Sequence, residues 1–204
     1  MLMQNISEFI RELQSQDSTP IVSNPYLVND LAENLRVYLE AMLKIKGKRI
    51  LLVGEAPGYK GCKITGIPFS SGDVFETIEH PFLKKIKKKI KLDRIEKENT
   101  ASIVWRYLAD KKTTPLFWNS FPYHPHPKND VNKNRAPSRQ EIEQGVVYLR
   151  ALNQLFKPKI IAGIGNAGVK CAQLAFPEIE VAYIRHPSFG GKMDFIKGMN
   201  TIFD

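Results

Sequence analysis

Four short apolar runs, separated by turns and helical segments, constrain the fold of this chain more than any other feature. The apolar runs cover 49–53, 116–119, 160–164 and 181–184. Helical patterns between and after these runs cover 73–110, 138–156, 165–175 and 191–200. Short apolar strands that alternate with helices are typical of a parallel sheet with helices on both faces. The sequence therefore predicts an α/β fold of three layers, α/β/α, around a central four-stranded parallel sheet.

Length and composition are those of one globular domain. The chain has 204 residues, of which 43% are hydrophobic and 25% charged, so we expect a single domain over 1–204. Helical patterns at 4–15 and 29–45 precede the first strand, and residues 1–46 are expected to form a helical N-terminal segment packed on that domain. Polar and proline-rich stretches at 16–25 and 120–137 predict loops.

The sequence carries no membrane or export signal. No apolar run approaches the roughly 20 residues of a membrane span. The N-terminus lacks the basic segment and long apolar core of a signal peptide. These patterns predict a cytoplasmic protein without a membrane partner. The sequence does not reveal the oligomeric state, and a monomer is the expectation.

Cysteine and histidine usage argues against a metal centre. The only cysteines are Cys62 and Cys171, which favour a reducing compartment over a disulfide and are too few for a four-cysteine iron–sulfur cluster. The histidines are not spaced with cysteines as in a zinc site. His124 and His126 lie between prolines in a predicted loop, where a shared metal is disfavoured. We expect neither a metal nor a cofactor.

A strongly positive charge suggests a polyanionic partner. The formal net charge is +9 and the pI about 9.5, so nucleic acid is the first candidate, with solubility alone as the alternative. Six lysines lie within 84–91. Ile86 and Ile90, four residues apart, would pack while the lysines stay in water. This run therefore favours a solvated helix face over a dedicated DNA-binding element.

The ends of the predicted strands carry the residues that point to chemistry, as expected where open parallel sheets bind ligands. The first strand leads into Gly54-Glu55-Ala56-Pro57-Gly58 and the last into Arg185-His186-Pro187-Ser188. Glu55 fits two roles, a carboxylate that orients water or faces developing positive charge, and a capping acid at a helix N-terminus. His186 can donate a hydrogen bond to a leaving group that gains negative charge.

Three more residues in these loops each have a chemical and a structural interpretation. Phe69 fits a stacking platform for a planar ring or an ordinary core residue. The Asn119 amide suits the polar edge of a pyrimidine or purine, or a turn. Ser188 and the three backbone amides that follow it, 189–191, fit a phosphate site at the start of the last helix.

Three blocks of this sequence resemble the uracil-DNA glycosylase superfamily. Gly54 to Gly58, followed by Gly66-Ile67-Pro68-Phe69, resembles the first motif of its thermostable bacterial and archaeal branch, family 4. Asn119 through Asn134-Arg135-Ala136-Pro137 resembles the middle block, and the turn at 185–188 resembles the last motif. The blocks occur in the right order between residues 50 and 195.

The resemblance implies a DNA glycosylase that flips a base out of single- or double-stranded DNA into a pocket. Glu55 would position or activate water, and His186 would stabilise the departing base. Phe69 would stack on the base and Asn119 would read its polar edge. Other implied base contacts are Gly54, Ala56, Gly58 and Tyr59. Implied contacts to the DNA backbone, or to the gap in the duplex, are Ser70, Ser71, Arg135, Ser188, Phe189, Gly190 and Lys192.

The implied chemistry suits these residue types. Breaking an N-glycosidic bond produces an oxocarbenium-like sugar and an anionic base. A carboxylate near the sugar stabilises the first, and a donor to the base oxygen stabilises the second. A glutamate with an ordinary pKa of about 4.3 is ionised at neutral pH and is a weak base. Electrostatics and water placement are therefore expected to outweigh proton abstraction.

Two departures from the family pattern matter. Family 4 generally holds an iron–sulfur cluster with four cysteines, so the N-terminal region of this chain should be held by apolar packing instead. The best-known uracil enzymes have Asp where this chain has Ala56, and Tyr where it has Gly58. That tyrosine excludes bases with a C5 substituent, and the neighbouring Tyr59 is the possible replacement. The sequence therefore leaves rejection of C5 groups open.

Three functions remain as alternatives at this point. The first is excision of uracil in base-excision repair. The second is excision of another base, such as glucosylated hydroxymethylcytosine of phage DNA in anti-phage defence. The third is a module that binds damaged DNA without cutting it. The presence of both candidate catalytic residues favours an enzyme.

Overall fold

The structure is a computed structural model that describes residues 3–203. The first elements are α1 (Ile6–Gln14), β1 (Val22–Ser23), a 3₁₀ turn (Pro25–Leu27), α2 (Asn29–Leu43) and β2 (Ile50–Gly54). Next come α3 (Cys62–Thr65), α4 (Gly72–Thr77), α5 (Pro81–Lys87), α6 (Asn99–Leu108) and β3 (Leu116–Asn119). The remainder is β4 (His124–Pro125), α7 (Arg139–Phe156), β5 (Ile160–Ile164), α8 (Gly165–Ala175), β6 (Ala182–Ile184) and α9 (Lys192–Phe203).

The four apolar runs form a parallel sheet in the order β3-β2-β5-β6, which confirms the predicted fold class. Central β2 is buried along its whole length and pairs through Leu51 with Leu116 on one side and Ile161 on the other. A strand covered on both faces must be apolar throughout, and Ile50 to Val53 meet that requirement. The predicted strand boundaries are correct to within one residue.

Close approach of α8 to the sheet depends on a glycine. A Cβ atom on Gly168 would lie only 1.9 Å from the carbonyl oxygen of Val53. Glycine therefore lets the helix backbone rest directly on β2, which brings the start of α8 to the carboxyl edge of the sheet.

The N-terminal helices are held by apolar and aromatic packing. Phe9 and Leu13 of α1 and Tyr38 of α2 are fully buried. The ring of Phe9 lies 5.2 Å from that of Trp118 on β3, in an edge-to-face arrangement that adds to the burial energy. No helix within 3–203 is long and apolar enough to cross a membrane.

Helical segments predicted over 73–110 are present, although they do not fill the region. It contains the three separate helices α4, α5 and α6, and α5 ends at Lys87, so Ile90 is not on a helix. Pro81 begins α5 with a cap from His80, and consecutive like charges disfavour extension of the helix through the lysine run. Within that run Lys84, Lys87 and Lys91 pair with acidic side chains.

The two predicted loops contain a short antiparallel pair. Val22 of β1 lies opposite Pro125 of β4, and Ser23 opposite His124. Two-residue strands are too short to produce a periodic pattern in the sequence, so the loop prediction missed them. The pairing ties the proline-rich segment to the N-terminal part of the chain.

Candidate active site

The carboxyl ends of the parallel strands open into one cleft of about 1080 Å³. The turn after β2, the segment around Asn134, the start of α8 and the turn after β6 all contribute to its lining. Glu55 and His186, which are 131 positions apart in the sequence, both line this cleft. The acidic turn and the imidazole turn therefore face the same space.

The acidic turn is held by the end of β3. The backbone oxygen of Glu55 accepts hydrogen bonds from the hydroxyl of Ser120 at 2.6 Å and from the backbone nitrogen of Phe121 at 3.2 Å. The Glu55 carboxylate is exposed to the cleft, yet desolvation by the surrounding protein raises its pKa. No donor among the described residues binds that carboxylate, and it caps no helix, so it remains available to a ligand or water.

The His186 ring is oriented by its own turn. Its Nδ1 atom lies 2.7 Å from the hydroxyl of Ser188 and accepts from the Ser188 backbone nitrogen at 3.3 Å. An N–H group can only donate, so Nδ1 is the acceptor and the neutral ring carries its proton on Nε2. Desolvation, opposed by Glu98 and assisted by Arg185, lowers the pKa of His186. The site thus presents a neutral imidazole with a free donor.

The side chains of Phe69 and Asn119 both lie next to Gly54, the last residue of β2. Phe69 has a φ of 54°, and its carbonyl accepts a hydrogen bond from the Trp105 indole at 2.8 Å. Its ring occupies the space above Gly54, where a Cβ atom would be 2.3 Å from the Phe69 Cζ atom. Asn119 is 4% exposed, and its amide nitrogen lies 4.0 Å from the Cys62 sulfur. A planar ring and a buried amide therefore border one part of the cleft.

Comparison with known proteins assigns the family. The sequence matches the Uracil DNA glycosylase superfamily over residues 42–197. The chain belongs to the uracil DNA glycosylase superfamily. It is a DNA N-glycosylase, its substrate is DNA, and the resemblance of its sequence motifs to this superfamily is confirmed.

A solved structure supports the fold. The crystal structure of wild-type SMUG2 from Pedobacter heparinus is similar to this glycosylase with a TM-score of 0.66 and 14% sequence identity. The similarity covers 98% of this chain and 97% of that chain. No curated protein matches the sequence.

The wall of the cleft near Gly58 is open. A Cβ atom on Gly58 would meet nothing nearer than the amide nitrogen of Asn134 at 3.7 Å. Ala56 and Gly58 line the cleft of the glycosylase, whereas Tyr59 does not. The Tyr59 backbone nitrogen donates to the Asn134 side-chain oxygen at 3.0 Å, which fixes that amide beside Gly58. Asn134, rather than an aromatic ring, is the side chain that faces Gly58.

Two serines predicted to contact phosphate are engaged elsewhere. The Ser70 hydroxyl is buried and bonds to Thr65 and to the carbonyl of Ile67 at 2.8 Å. The Ser71 hydroxyl caps α4 by accepting from the Val74 backbone nitrogen at 3.4 Å. Ser70 still borders the cleft, whereas Ser71 is outside its lining, and contact of either serine with a phosphate stays a prediction.

The other predicted DNA-backbone residues of the glycosylase differ in their placement. Arg135 lines the cleft, but both of its terminal nitrogens donate to Glu141, at 2.7 and 2.8 Å. Ser188 also lines the cleft, with its hydroxyl bonded to His186. Phe189 is 98% exposed and has a φ of 49°, so the turn holds its ring out toward solvent. Gly190 and Lys192 lie beside this turn but do not line the cleft.

Sequence reasoning missed one wall of the glycosylase cleft. This wall is formed by α6 and the two residues before it, and it contains Lys97, Glu98, Asn99, Thr100, Ser102, Ile103 and Arg106. Glu98 caps the helix by accepting from the backbone nitrogens of Thr100 and Ala101, at 2.9 and 2.6 Å. An acidic residue before a helical run is a start signal, but the prediction of helical segments over 73–110 did not divide that region and so did not use it.

No group of three or more potential metal ligands occurs within residues 3–203. The rings of His124 and His126 stack with centroids 5.4 Å apart. His124 lies between two carbonyl oxygens, that of Pro57 at 2.7 Å and that of Val131 at 3.1 Å. These contacts attach the proline-rich segment to the acidic turn. Cys62 and Cys171 are both buried, free thiols.

Proposed function

We propose that this glycosylase removes uracil from DNA in base-excision repair. The observation that carries the proposal is the shared cleft: the free carboxylate of Glu55 and the imidazole of His186 face it together with Phe69 and Asn119. These are the groups that hydrolysis of an N-glycosidic bond requires, one for the sugar, one for the leaving base and two to hold the base.

The reaction begins with a nucleotide rotated out of the DNA strand. Its base lies against the ring of Phe69, and the Asn119 amide pairs with the N3–H group and O4 atom of uracil. An amide both donates and accepts, so it matches an edge with one donor and one acceptor. Cytosine has the opposite pattern on that edge, and a fixed amide selects against it.

Bond cleavage moves the electron pair of the N-glycosidic bond onto the base. The Nε2–H group of His186 donates a hydrogen bond to the base oxygen that gains this charge, while the ring stays neutral. The Glu55 carboxylate stabilises the positive sugar and orients a water molecule toward C1′. Water adds its oxygen to C1′, its proton passes to solvent or to the departing base, and the products are free uracil and an abasic site.

The DNA strand is held by charge around the cleft. Lys97, Arg106 and Arg185 line it, and none of them has an ion-pair partner within the described part of the chain. The backbone nitrogens of Phe189 and Gly190 also lack partners there, which suits them to a phosphate. The exposed ring of Phe189 would enter the gap that the flipped nucleotide leaves in a duplex.

A second substrate class is favoured by the open wall at Gly58. A pyrimidine with a C5 substituent, such as glucosylated hydroxymethylcytosine of phage DNA, would meet Asn134 there rather than an aromatic ring. This alternative would place the protein in anti-phage defence. The non-catalytic binding module is the least favoured function, because both reacting side chains are presented.

The decisive experiment is a cleavage panel. Oligonucleotides carrying uracil, hypoxanthine, xanthine, mismatched thymine or C5-modified cytosines are incubated with the protein and then with alkali, in single- and double-stranded form. We expect cutting at uracil, and loss of cutting but not of DNA binding in Glu55→Gln. Cutting only at a C5-modified base assigns the second class, and plating of modified and unmodified phage then tests defence. If no oligonucleotide of the panel is cut, both substrate classes are excluded.

Location and assembly belong to the same proposal. We propose that the protein is cytoplasmic. We also propose that it is a monomer, since one cleft contains all the groups that the reaction needs. Light scattering coupled to size-exclusion chromatography measures the assembly directly, and a mass near twice 23.2 kDa contradicts the monomer.

A further inference from the structure

The cleft has room for more than the excised base. Its volume of about 1080 Å³ slightly exceeds the range of roughly 300–1,000 Å³ that is usual for sites that hold whole small molecules. Phe69, Asn119 and His186 account for the part that takes the base. Tyr183, on β6, lines the same cleft and has no part in that reaction.

Tyr183 is an aromatic side chain left open at the edge of the sheet. β6 is the last strand in the order, and Tyr183 is 52% exposed while its neighbour Ile184 is buried. Ile184 packs on α9, where a Cβ atom on Gly198 would lie 3.2 Å from it. Because side chains alternate along a strand, Tyr183 faces away from α9. Its hydroxyl has no hydrogen-bond partner among residues 3–203.

A cation accompanies this ring. Arg185 lies two residues further on, lines the cleft, and donates one hydrogen bond to the His186 carbonyl at 3.0 Å. It forms no ion pair within the described residues. An exposed aromatic ring and a guanidinium without an ion pair, two residues apart at one cleft, form the combination with which proteins bind unpaired nucleobases, through stacking and attraction of the phosphates. Stacking of such a ring against a base has a more favourable free energy than leaving the ring in water.

We propose that Tyr183 is a stacking platform for the nucleobase next to the excised one on the same DNA strand. This inference rests on the proposed function only in requiring that the cleft binds DNA around a flipped nucleotide. In single-stranded DNA the neighbouring base can turn onto the ring without loss of a base pair. In a duplex the same movement breaks a pair. Tyr183 therefore gives the glycosylase a preference for single-stranded substrate.

The test changes the Tyr183 side chain and the base that it would hold, separately and together. Single-stranded oligonucleotides carry a tetrahydrofuran abasic analogue at the target position, which no glycosylase cleaves. The flanking nucleotide on each side either keeps its base or is replaced by the same analogue. Binding is measured by fluorescence anisotropy for the wild-type protein, Tyr183→Ala and Tyr183→Phe.

We expect Tyr183→Ala to weaken binding about tenfold when the flanking base is present. Removal of that base should weaken binding of the wild-type protein equally, and the two changes together should be no worse than either alone. Tyr183→Phe keeps the ring and should bind as the wild type does. Additive effects for both flanks overturn the proposal, as does unchanged binding by Tyr183→Ala.

Two controls make the result specific. Leu174→Ala changes an exposed residue of α8 outside the cleft lining and should not alter binding. An unchanged melting temperature of Tyr183→Ala excludes misfolding, and an equal loss on duplex DNA overturns the single-strand preference. If coupling is seen but no base of the cleavage panel is released, the proposed function fails and the platform stands. If a base is released but the effects of Tyr183→Ala and of removing the flanking base are additive, the proposed function stands and the platform fails.

Discussion

The Nδ1 atom of His186 receives both hydrogen bonds that Ser188 offers, from its hydroxyl at 2.7 Å and from its backbone nitrogen at 3.3 Å. This arrangement leaves the proton of the neutral ring on Nε2. It also commits the Ser188 hydroxyl, whose single proton cannot be donated to a phosphate at the same time. In this glycosylase the serine of the last motif acts on the histidine, and only the backbone nitrogens after it stay free for DNA.

Loss of the Ser188 hydroxyl should therefore affect catalysis more than binding. We expect Ser188→Ala to lower kcat about tenfold, since one hydrogen bond that fixes the tautomer is worth about 1 kcal/mol or slightly more. Ser188→Thr keeps the hydroxyl and is the matched control. Nitrogen NMR of the ring should show the Nε2–H form in the wild type and a mixture in Ser188→Ala. A rise in KM with kcat unchanged would instead assign the hydroxyl to the DNA backbone.

The ionisation of Glu55 should set the acid limit of activity. Desolvation raises its pKa, so activity should fall at a pH above the ordinary glutamate pKa of about 4.3. Glu55→Gln should lower kcat by two or more orders of magnitude, which is the size of a strong electrostatic contribution. The variant should also lose the fall in activity at low pH. Measurement of kcat against pH for both proteins tests it. If the fall in kcat at low pH persists in Glu55→Gln, another group causes it.

The same shift predicts the effect of Glu55 on stability. A folded-state pKa above the unfolded one means that the folded protein binds more protons between the two values, so stability falls as pH rises through that window. Glu55→Gln removes a partly desolvated charge and should raise the melting temperature at neutral pH slightly. At a pH below both values the two proteins should melt alike. A lower melting temperature of the variant at neutral pH contradicts this explanation of the shift.

Two glycines of the acidic turn should respond differently to the same change. In Gly54→Ala the new Cβ atom takes the space of the Phe69 ring, and the ring must move. We expect about a hundredfold loss of kcat/KM, because a displacement of about 1 Å at a reacting site has this effect, with little change in melting temperature. Gly58→Ala meets only Asn134 at 3.7 Å and is the control. Equal activity of the two variants excludes Phe69 as a base platform.

The pair Arg135–Glu141 should stabilise the protein in a pH-dependent way. The Arg135 side chain holds the pKa of Glu141 below its usual range. A lowered folded-state pKa gives stability that is present above the unfolded pKa and is lost as pH falls through the folded one. Glu141→Gln should lower the unfolding free energy by about 1–2 kcal/mol at pH 7 and remove this dependence. Urea titrations at pH 7 and pH 3 measure both, and a loss that is unchanged at pH 3 contradicts the ionic origin.

Cations of the α6 wall should contribute to DNA affinity without regard to sequence. Lys97→Ala and Arg106→Ala should each weaken binding to all oligonucleotides and reduce the slope of log affinity against log salt by about 1. Lys85→Ala on α5, exposed, outside the cleft lining and without an ion pair in the described residues, is the control. Salt titrations of binding distinguish them. Equal slopes of log affinity against log salt for all three variants would mean that the DNA does not bind along the α6 wall.

The sequence by itself determined the sheet and the chemical content of the turns. A run such as Ile50 to Val53 is apolar because both of its faces are covered, and this local pattern survives in the sequence. Glu55, Asn119 and His186 lie at or just beyond strand ends, and Phe69 lies in the long turn after the first strand, so all four are expected at the one edge where parallel strands end. These relations need only the periodicity and order of the elements.

The tertiary structure decided which side chains remain free. Ser70 and Ser71 have the chemistry for phosphate binding, but in the fold the Ser70 hydroxyl donates to the Ile67 carbonyl and the Ser71 hydroxyl caps α4. Tyr183 and the start of α6 are open to the cleft for the converse reason: no residue packed against them takes that space. Hydrogen bonds and burial depend on contacts within about 4 Å between segments distant in the chain. Such contacts leave no local periodic signal, so only the folded chain shows them.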